Sequence, residues 1–334
     1  MMYKAIVDGA GTEKHPFPEI EGCIKALKEK ENLEIFLIIH KDDKDKISKK
    51  LPKKIEIVEA EEKVTFDEKP TQALSFKKNS TISIGMQMLS EGKGDFLISA
   101  GNTGAVVAFS LKYLKKIEGV KRPAICAIFP SLKGFVAVLD VGANVDSKPI
   151  YLFQFGIMGY FFAKHILNKE EPKVALLSIG EEEIKGNETV LKAKEIFIEN
   201  KFPGFIGFVE GKDICKGTVD VVVTDGFVGN SILKFGEGLL EAAASVFMEE
   251  VRKSIINKIG IFILKRSIKK LLKKFHYESY GGAPLLGING TVIICHGRSS
   301  ANAIKNAILA GIKFKEEELN KKIEESILKF SHLF

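Results

Sequence analysis

Three times in this 334-residue chain, a run of Val, Ile and Leu passes into a loop that ends in Gly-Asn, and a helical pattern follows. The first segment is Ser99-Ala100-Gly101-Asn102-Thr103-Gly104. The second runs Gly180-Glu181-Glu182-Glu183-Ile184-Lys185-Gly186-Asn187, and the third Thr224-Asp225-Gly226-Phe227-Val228-Gly229-Asn230. A fourth, Asp140-Val141-Gly142-Ala143-Asn144, also follows an apolar run. Strand, glycine turn and helix start form the unit whose backbone N–H groups and dipole favour an anion. In a parallel sheet such loops gather along one edge, at the carboxyl ends of the strands. The pattern predicts a cleft for a negatively charged ligand, phosphate foremost, with the loops sharing one rim.

The same alternation sets the fold. Apolar runs predict strands over Lys4–Asp8, Glu34–His40, Ile55–Ala60, Asp95–Ala100, Ala124–Phe129, Phe135–Asp140, Lys173–Ile179, Phe205–Gly207, Val219–Thr224 and Val292–Cys295. Helices are expected over Glu19–Glu29, Thr81–Glu91, Thr103–Lys115, Lys148–Asn168, Glu188–Asn200, as a long pair within 229–276, and over Ser299–Ala310. Many strands are apolar on both faces, which predicts a three-layer, Rossmann-like α/β fold with a mostly parallel sheet flanked by helices. The short link from Pro130 to Gly134 makes its two strands an antiparallel hairpin. No Pro/Ser-rich linker interrupts the chain, so residues 1–334 are read as a single catalytic domain with a helical hairpin at 238–278.

Composition removes several functions. Cys23, Cys126, Cys215 and Cys295 are scattered, and the six histidines show no i, i+4 pairing, so neither disulfides nor a metal site is expected. No P-loop, zinc-protease or serine-hydrolase motif occurs, no dinucleotide fingerprint is complete, and no cofactor is expected. Met1 to Tyr3 leaves no room for a signal peptide before the first strand. The stretch Ile150 to Ala163 is shorter than the roughly 20 residues a bilayer needs, is interrupted by Gln154, and reads as a buried helix. Nine of the basic residues lie between Arg252 and Lys274 with no acidic one among them. Taking those nine from the net +7 leaves −2, so the basicity belongs to one element and nucleic acid is not the expected partner.

Each loop residue has an ordinary reading beside a functional one. Asn102, Asn187 and Asn230 either cap helices or hold phosphate, and the glycines around them (Gly101, Gly104, Gly180, Gly186, Gly226, Gly229) admit a ligand to the backbone. Thr103 shares the first cap. Asp140 and Asp225, with Asn144 beside the former, either close Asx turns or contact substrate. Glu181 and Glu182 with Lys185 form either a solvated loop or a charged site in which Lys185 meets an anion or oxyanion. His296 is either structural or a titratable group at the rim.

Leu240, Ala244, Phe247, Val251 and Ile255 form one helical stripe, and Leu264, Ile268, Leu271, Leu272 and Phe275 another. A turn is expected near Asn257–Gly260. The tip, Ile259, Gly260, Ile261, Phe262, Ile263 and Leu264, is apolar and collared by Lys265, Arg266, Lys269, Lys270 and Lys273. Dimer packing accounts for the stripes. The apolar tip and basic collar suit contact with an anionic membrane surface or with an acidic protein partner.

Taken together, SAGNTGA (99–105), LDVGANVDSKP (139–149), LLSIGEEEIKGNE (176–188), VVTDGFVGN (222–230) and GGAPLLGINGTVIICHG (281–297) resemble the PlsX family of phosphate acyltransferases. The last segment adds Gly281, Gly282 and Gly297 to the expected substrate-binding set. Two departures stand out: Asp8-Gly9-Ala10-Gly11-Thr12-Glu13 replaces the family's Asp-Ala-Met-Gly-Gly-Asp, and the segment Leu74 to Ser80 lacks a usual arginine. The resemblance implies a fold akin to phosphotransacetylases and isocitrate-dehydrogenase-like proteins, and a cytoplasmic homodimer loosely attached to the inner face of the cell membrane. It implies transfer of a long-chain acyl group from acyl carrier protein to inorganic phosphate, for phospholipid synthesis, beside a membrane-bound glycerol-3-phosphate acyltransferase. In that chemistry phosphate is itself the nucleophile. Asn230, with Asn102, Asn187 and the glycine loops, then holds phosphate, Lys185 stabilises the transition-state charge, and His296 stands as reserve acid. A CoA-dependent phosphate acetyl- or butyryltransferase is the alternative.

Overall fold

Alternate residues of each strand enter opposite apolar cores, and that period of two sets the layering. The computed structural model describes residues 1–47, 51–254, 256–257, 259–266 and 281–333. Val7, Leu37, Phe96, Leu139 and Val221 are buried in one core, while their neighbours Ile6, Ile38, Leu97, Val138 and Val222 are buried in the other. Helices α1 (Phe17–Glu29), α5 (Pro149–His165), α6 (Glu188–Glu199) and the two C-terminal helices, Ala301–Glu316 and Leu319–Lys329, cover the first face. The second is covered by α2 (Pro70–Phe76), α3 (Thr81–Ser90), α4 (Thr103–Tyr113), α7 (Gly211–Lys216) and part of α8 (Gly226–Arg252). The expected three layers are present. So is the buried helix over residues 150–163, whose Gln154 is spent on the backbone of Gly119 and Lys121.

The strands are β1 (Tyr3–Asp8), β2 (Leu33–His40), β3 (Ile55–Ala60), β4 (Phe96–Ser99), β5 (Ala124–Ser131), β6 (Gly134–Leu139), β7 (Val174–Leu177), β8 (Phe205–Val209), β9 (Val221–Val223), β10 (Ala283–Leu286) and β11 (Val292–Ile294). All eleven join one sheet in the order β3-β2-β1-β4-β11-β10-β5-β6-β9-β7-β8. The five strands from β3 to β11 are mutually parallel. β10 is antiparallel to both β11 and β5, and β5 and β6 form the expected antiparallel hairpin. The four strands β6, β9, β7 and β8 are again parallel to one another. Three successive reversals leave these last four pointing opposite to the first five.

That reversal corrects the expectation of one rim. The loop after β4 leaves the sheet in one direction, and the loops after β6, β7 and β9 leave in the other. The loops therefore form two clusters.

Among the described residues, the break expected near Asn257–Gly260 falls earlier in the chain. α8 ends at Arg252, and Ser254 Oγ accepts the N–H of Ile256 (3.1 Å) where the chain turns. Residues 259–266 are helical, so Gly260 lies past the turn, inside the second helix. A glycine within a helix costs about 1 kcal/mol and does not by itself end it. Ile259, Phe262, Ile263 and Leu264 are exposed there together with Lys265 and Arg266. Lys269, Lys270, Lys273 and the second stripe from 268 onward lie outside the described residues.

Candidate active site

The first cluster gathers the ends of β1, β4 and β11. Asp8, buried at the end of β1, accepts from Ser99 Oγ (2.6 Å) and from the N–H of Ala10 (3.2 Å). Burial pushes its carboxyl up against those bonds. A Cβ on Gly11 would stand 2.7 Å from the Ala100 nitrogen and 2.8 Å from that of Gly101. Only glycine lets these two loops touch. The N–H of Glu13 then reaches the Gly297 carbonyl (2.8 Å), tying in the turn after β11.

Asn102 is committed within this cluster. Its Oδ1 accepts from the N–H of Ala105 (3.0 Å), capping α4. Its Nδ2 lies 3.2, 3.0 and 3.0 Å from the carbonyls of Thr65, Phe66 and Glu68. The capping reading holds here, and no side-chain donor of Asn102 is left for phosphate. Gly104 packs on Pro70, and Thr103 is exposed in the first turn of α4. Gly281 and Gly282 have positive φ (78° and 85°), and a Cβ there would press on the carbonyls of Asn306 and Ile294, so the backbone itself requires them.

His296 is half-buried beside Gly297, against which the ring of Phe66 packs. Burial, then the Lys234 ammonium, lowers its pKa, so the ring is neutral near pH 7. Its Nδ1 accepts from the N–H of Arg298 (3.1 Å), which assigns the proton to Nε2. The result is a hydrogen-bond donor without charge.

The second cluster follows β6, β7 and β9. Asp140 is fully buried: Oδ1 accepts from the N–H groups of Ile125 (2.9 Å), Gly142 (3.1 Å) and Ala143 (3.0 Å), and Oδ2 from Asn144 N (2.7 Å) and Nδ2 (2.9 Å). Five donors and no acceptor suit the ionised carboxylate. Asn144 Nδ2 also reaches Pro123 O (2.7 Å). Asp140 and Asn144 are thus spent on the turn they build, as the Asx-turn reading has it. α8 begins against this turn. Asp225 caps it through the N–H of Val228 (2.8 Å), and a Cβ on Gly229 would fall 1.9 Å from the Asp140 carbonyl oxygen. Gly226 is likewise pressed on Asn144 and Asp140. These glycines admit a helix to a turn.

Other groups of this cluster keep free donors. Asn230 sits exposed on α8 with its side chain over Gly142, and its amide makes no hydrogen bond among the described residues. Asn187 caps α6 through Oδ1 (Val190 N–H, 2.9 Å), leaving Nδ2 outward. Lys185 is exposed, stands over Gly180, and enters no ion pair among the described residues. Glu181 and Glu182 face solvent in the same loop. Gly186, at φ 127°, brings the backbone against Ser178, whose Oγ is buried without a partner. A buried hydroxyl left alone is uncommon, and an acceptor entering this loop would satisfy it.

α8 joins the clusters. Its first turn lies on Asp140, and the Lys234 ammonium, about two turns on, acts on His296 to lower its pKa. At about 1.5 Å per residue, Lys234 lies roughly 12 Å along α8 from its first residue. Phe66 and Lys234 are absent from the sequence motifs, and Ser99 stands in one of them without an assigned role. Gly11 stands in the Asp8–Glu13 segment that departs from the family.

Beneath the first cluster, Glu19 of α1 is fully buried and accepts from the N–H of Thr12 (2.8 Å), while its Oε2 has no partner. Burial raises its pKa from 4.5 to about 7. The native protein therefore holds a proton that the unfolded chain releases first. This contribution to stability is complete below pH 4.5 and is lost as pH rises towards 7, at about 1.4 kcal/mol per unit. Glu19→Gln is expected to flatten that slope. Urea midpoints at about pH 5 and pH 7.5 read it, and an unchanged slope would clear Glu19 of the effect.

Comparison with known proteins bears on the family and the fold. The chain is 43% identical over 332 residues to a phosphate acyltransferase of Dictyoglomus turgidum, covering 98% of each chain. It is 43% identical over 330 residues to a phosphate acyltransferase of Campylobacter jejuni, covering 99% of this chain and all of that one. Among solved structures, a phosphotransacetylase from Streptococcus pyogenes superposes with a TM-score of 0.60 at 18% identity, over 95% of this chain and 94% of that one. A branched-chain phosphotransacylase from Enterococcus faecalis does so at 0.56 and 14%, over 93% and 99%. At those identities the structures speak for the fold alone. The sequence model of the fatty acid synthesis protein family matches residues 3–322, and this chain belongs to that family.

Proposed function

We propose that this protein transfers a long-chain acyl group from the thioester of acyl carrier protein to inorganic phosphate, giving acyl phosphate and a free thiol. The observation that carries the reading is near-full-length similarity to phosphate acyltransferases, in a chain whose free donors (Lys185, Asn187 and Asn230) lie together after β7 and β9. Phosphate near pH 7 is an anionic nucleophile, so no activated serine or cysteine is required. A phosphate oxygen attacks the thioester carbonyl, the carbonyl oxygen takes up negative charge, and the C–S bond then breaks to release thiolate. The protein's part is positioning and charge stabilisation. Lys185 and the two amides hold phosphate and the developing oxyanion. His296, neutral with its proton on Nε2, donates across α8 to the carbonyl or the departing sulfur.

Two further features belong to the same reading. Phe235, Leu239, Val246 and Phe247 of α8 are exposed, an apolar face suited to a second copy of the chain. Beyond it, Phe262, Ile263 and Leu264 with Lys265 and Arg266 suit peripheral contact with an anionic membrane at its inner face, beside the enzyme that consumes acyl phosphate. No described helix is long and apolar enough to cross a membrane.

Incubation with palmitoyl-acyl carrier protein, with and without phosphate, tests the reaction. Mass spectrometry is expected to find palmitoyl phosphate only when phosphate is present. Transfer from short acyl-CoA alone would replace the reading with that of a CoA-dependent phosphotransacylase.

A further inference from the structure

We propose that the acyl donor docks as an acidic carrier protein on the rim formed by Lys115, Lys116, Lys121, Arg122 and Lys148, at the mouth of the Asp140–Asn144 turn. The proposal rests on the thioester-transfer reading above. All five residues are exposed. Three bonds bring them together around the turn. Lys116 Nζ donates to the Lys121 carbonyl (3.1 Å), closing the loop between α4 and β5 on itself. Asn144 Nδ2 donates to the carbonyl of Pro123 (2.7 Å), fixing Arg122 beside the turn. The N–H of Lys121 donates to Gln154 of α5 (2.8 Å), the helix that Lys148 opens.

Some surface cations elsewhere on the molecule are paired, as Lys44 is with Glu59 and Lys212 with Glu210. In the rim, Lys115, Lys116, Arg122 and Lys148 enter no ion pair among the described residues, although Glu118 and Asp146 are near in sequence. These four cations, on a body left at −2 once the nine basic residues of 252–274 are taken from the net +7, make a local positive field, which steers and orients an acidic partner. The inner side of the rim is apolar: Val145 is 70% exposed and Phe227, at the start of α8, is 66% exposed. An apolar centre with a charged border is the composition of a protein-docking patch. The basic collar after α8 is poorly placed for this task, since the 27 residues of that helix put about 40 Å between it and the turn.

The test compares wild type, the rim variant Lys115→Glu/Lys116→Glu/Arg122→Glu and the collar variant Lys265→Glu/Arg266→Glu. Binding of fluorescently labelled palmitoyl-acyl carrier protein is followed by anisotropy, with turnover on that donor and on palmitoyl-CoA measured alongside. The rim variant is expected to bind the carrier about tenfold or more weakly and to show a KM raised by as much, with kcat on palmitoyl-CoA unchanged. Wild-type binding is expected to weaken with salt, and the collar variant to bind like wild type. The proposal is overturned if the rim variant, with an unaltered thermal midpoint, binds the carrier within twofold of wild type. It is equally overturned if the collar variant alone loses the carrier, or if the rim change abolishes only vesicle binding or self-association. Carrier binding that depends on the rim, without any acyl phosphate from wild type, would keep the docking surface and remove the reaction.

Discussion

Asp140→Ala is expected to lower the unfolding free energy by about 3 kcal/mol or more, because it strands several hydrogen-bond donors at about 1–3 kcal/mol each where water is excluded. The carboxylate lies at zero exposure and accepts from four backbone N–H groups and one side-chain amide. Alanine leaves the buried N–H of Ile125 and the part-buried donors of the turn unpaired, each at a cost of about 1–3 kcal/mol where water cannot reach it. It also loosens the surface on which Gly226 and Gly229 seat the first turn of α8. Asp140→Asn offers little relief, because its NH2 group would face donors. Urea unfolding of the variants reads the loss directly. A change below about 1 kcal/mol would mean that water replaces the carboxylate, and the turn would then not be a dry anchor for α8.

Lys185→Ala is expected to cut turnover by about a hundred- to a thousandfold, the usual cost of removing one oxyanion donor. The fold should be untouched, since the side chain is exposed and makes no ion pair among the described residues. A loss in kcat with little change in thermal midpoint separates this role from a structural one. Turnover above a third of wild type would remove Lys185 from the mechanism.

Much of the layering was legible because a period of two and a period of three to four survive in sequence whatever the tertiary context. Ten of the strands were placed within a few residues of their observed positions, and the β5–β6 hairpin was read from its short connection. β10 was not. It is four residues long, contains Pro284, and is bordered by Gly281, Gly282 and Gly287 at positive φ. Proline within a central strand speaks against a strand on any local rule, and only its place between β11 and β5 makes it one. α2 and α7, of seven and six residues, are too short to show a period.

Strand direction was the larger gap. A strand buried on both faces reads the same upward and downward, so the opposed halves of the sheet were invisible. In sequence, the row of loops therefore reads as one rim. At the site, residue type gave a list of polar groups, but how each was spent depended on neighbours distant in sequence. Asn102 is consumed by residues 65–68 and Asp140 by Ile125, whereas Asn230 and Lys185 remain open.

The centre of the sheet is completed late in synthesis. β10 and β11 come from the last sixth of the chain, yet they stand between β4 and β5 and join the two opposed halves. Until residues 283–294 leave the ribosome, β4 and β5 are bare edges, open to pairing with other nascent chains. The C-terminal segment thus acts as a keystone. A chain stopped at residue 280 is expected to sediment as aggregate, and a soluble monomer from it would show that each half closes alone.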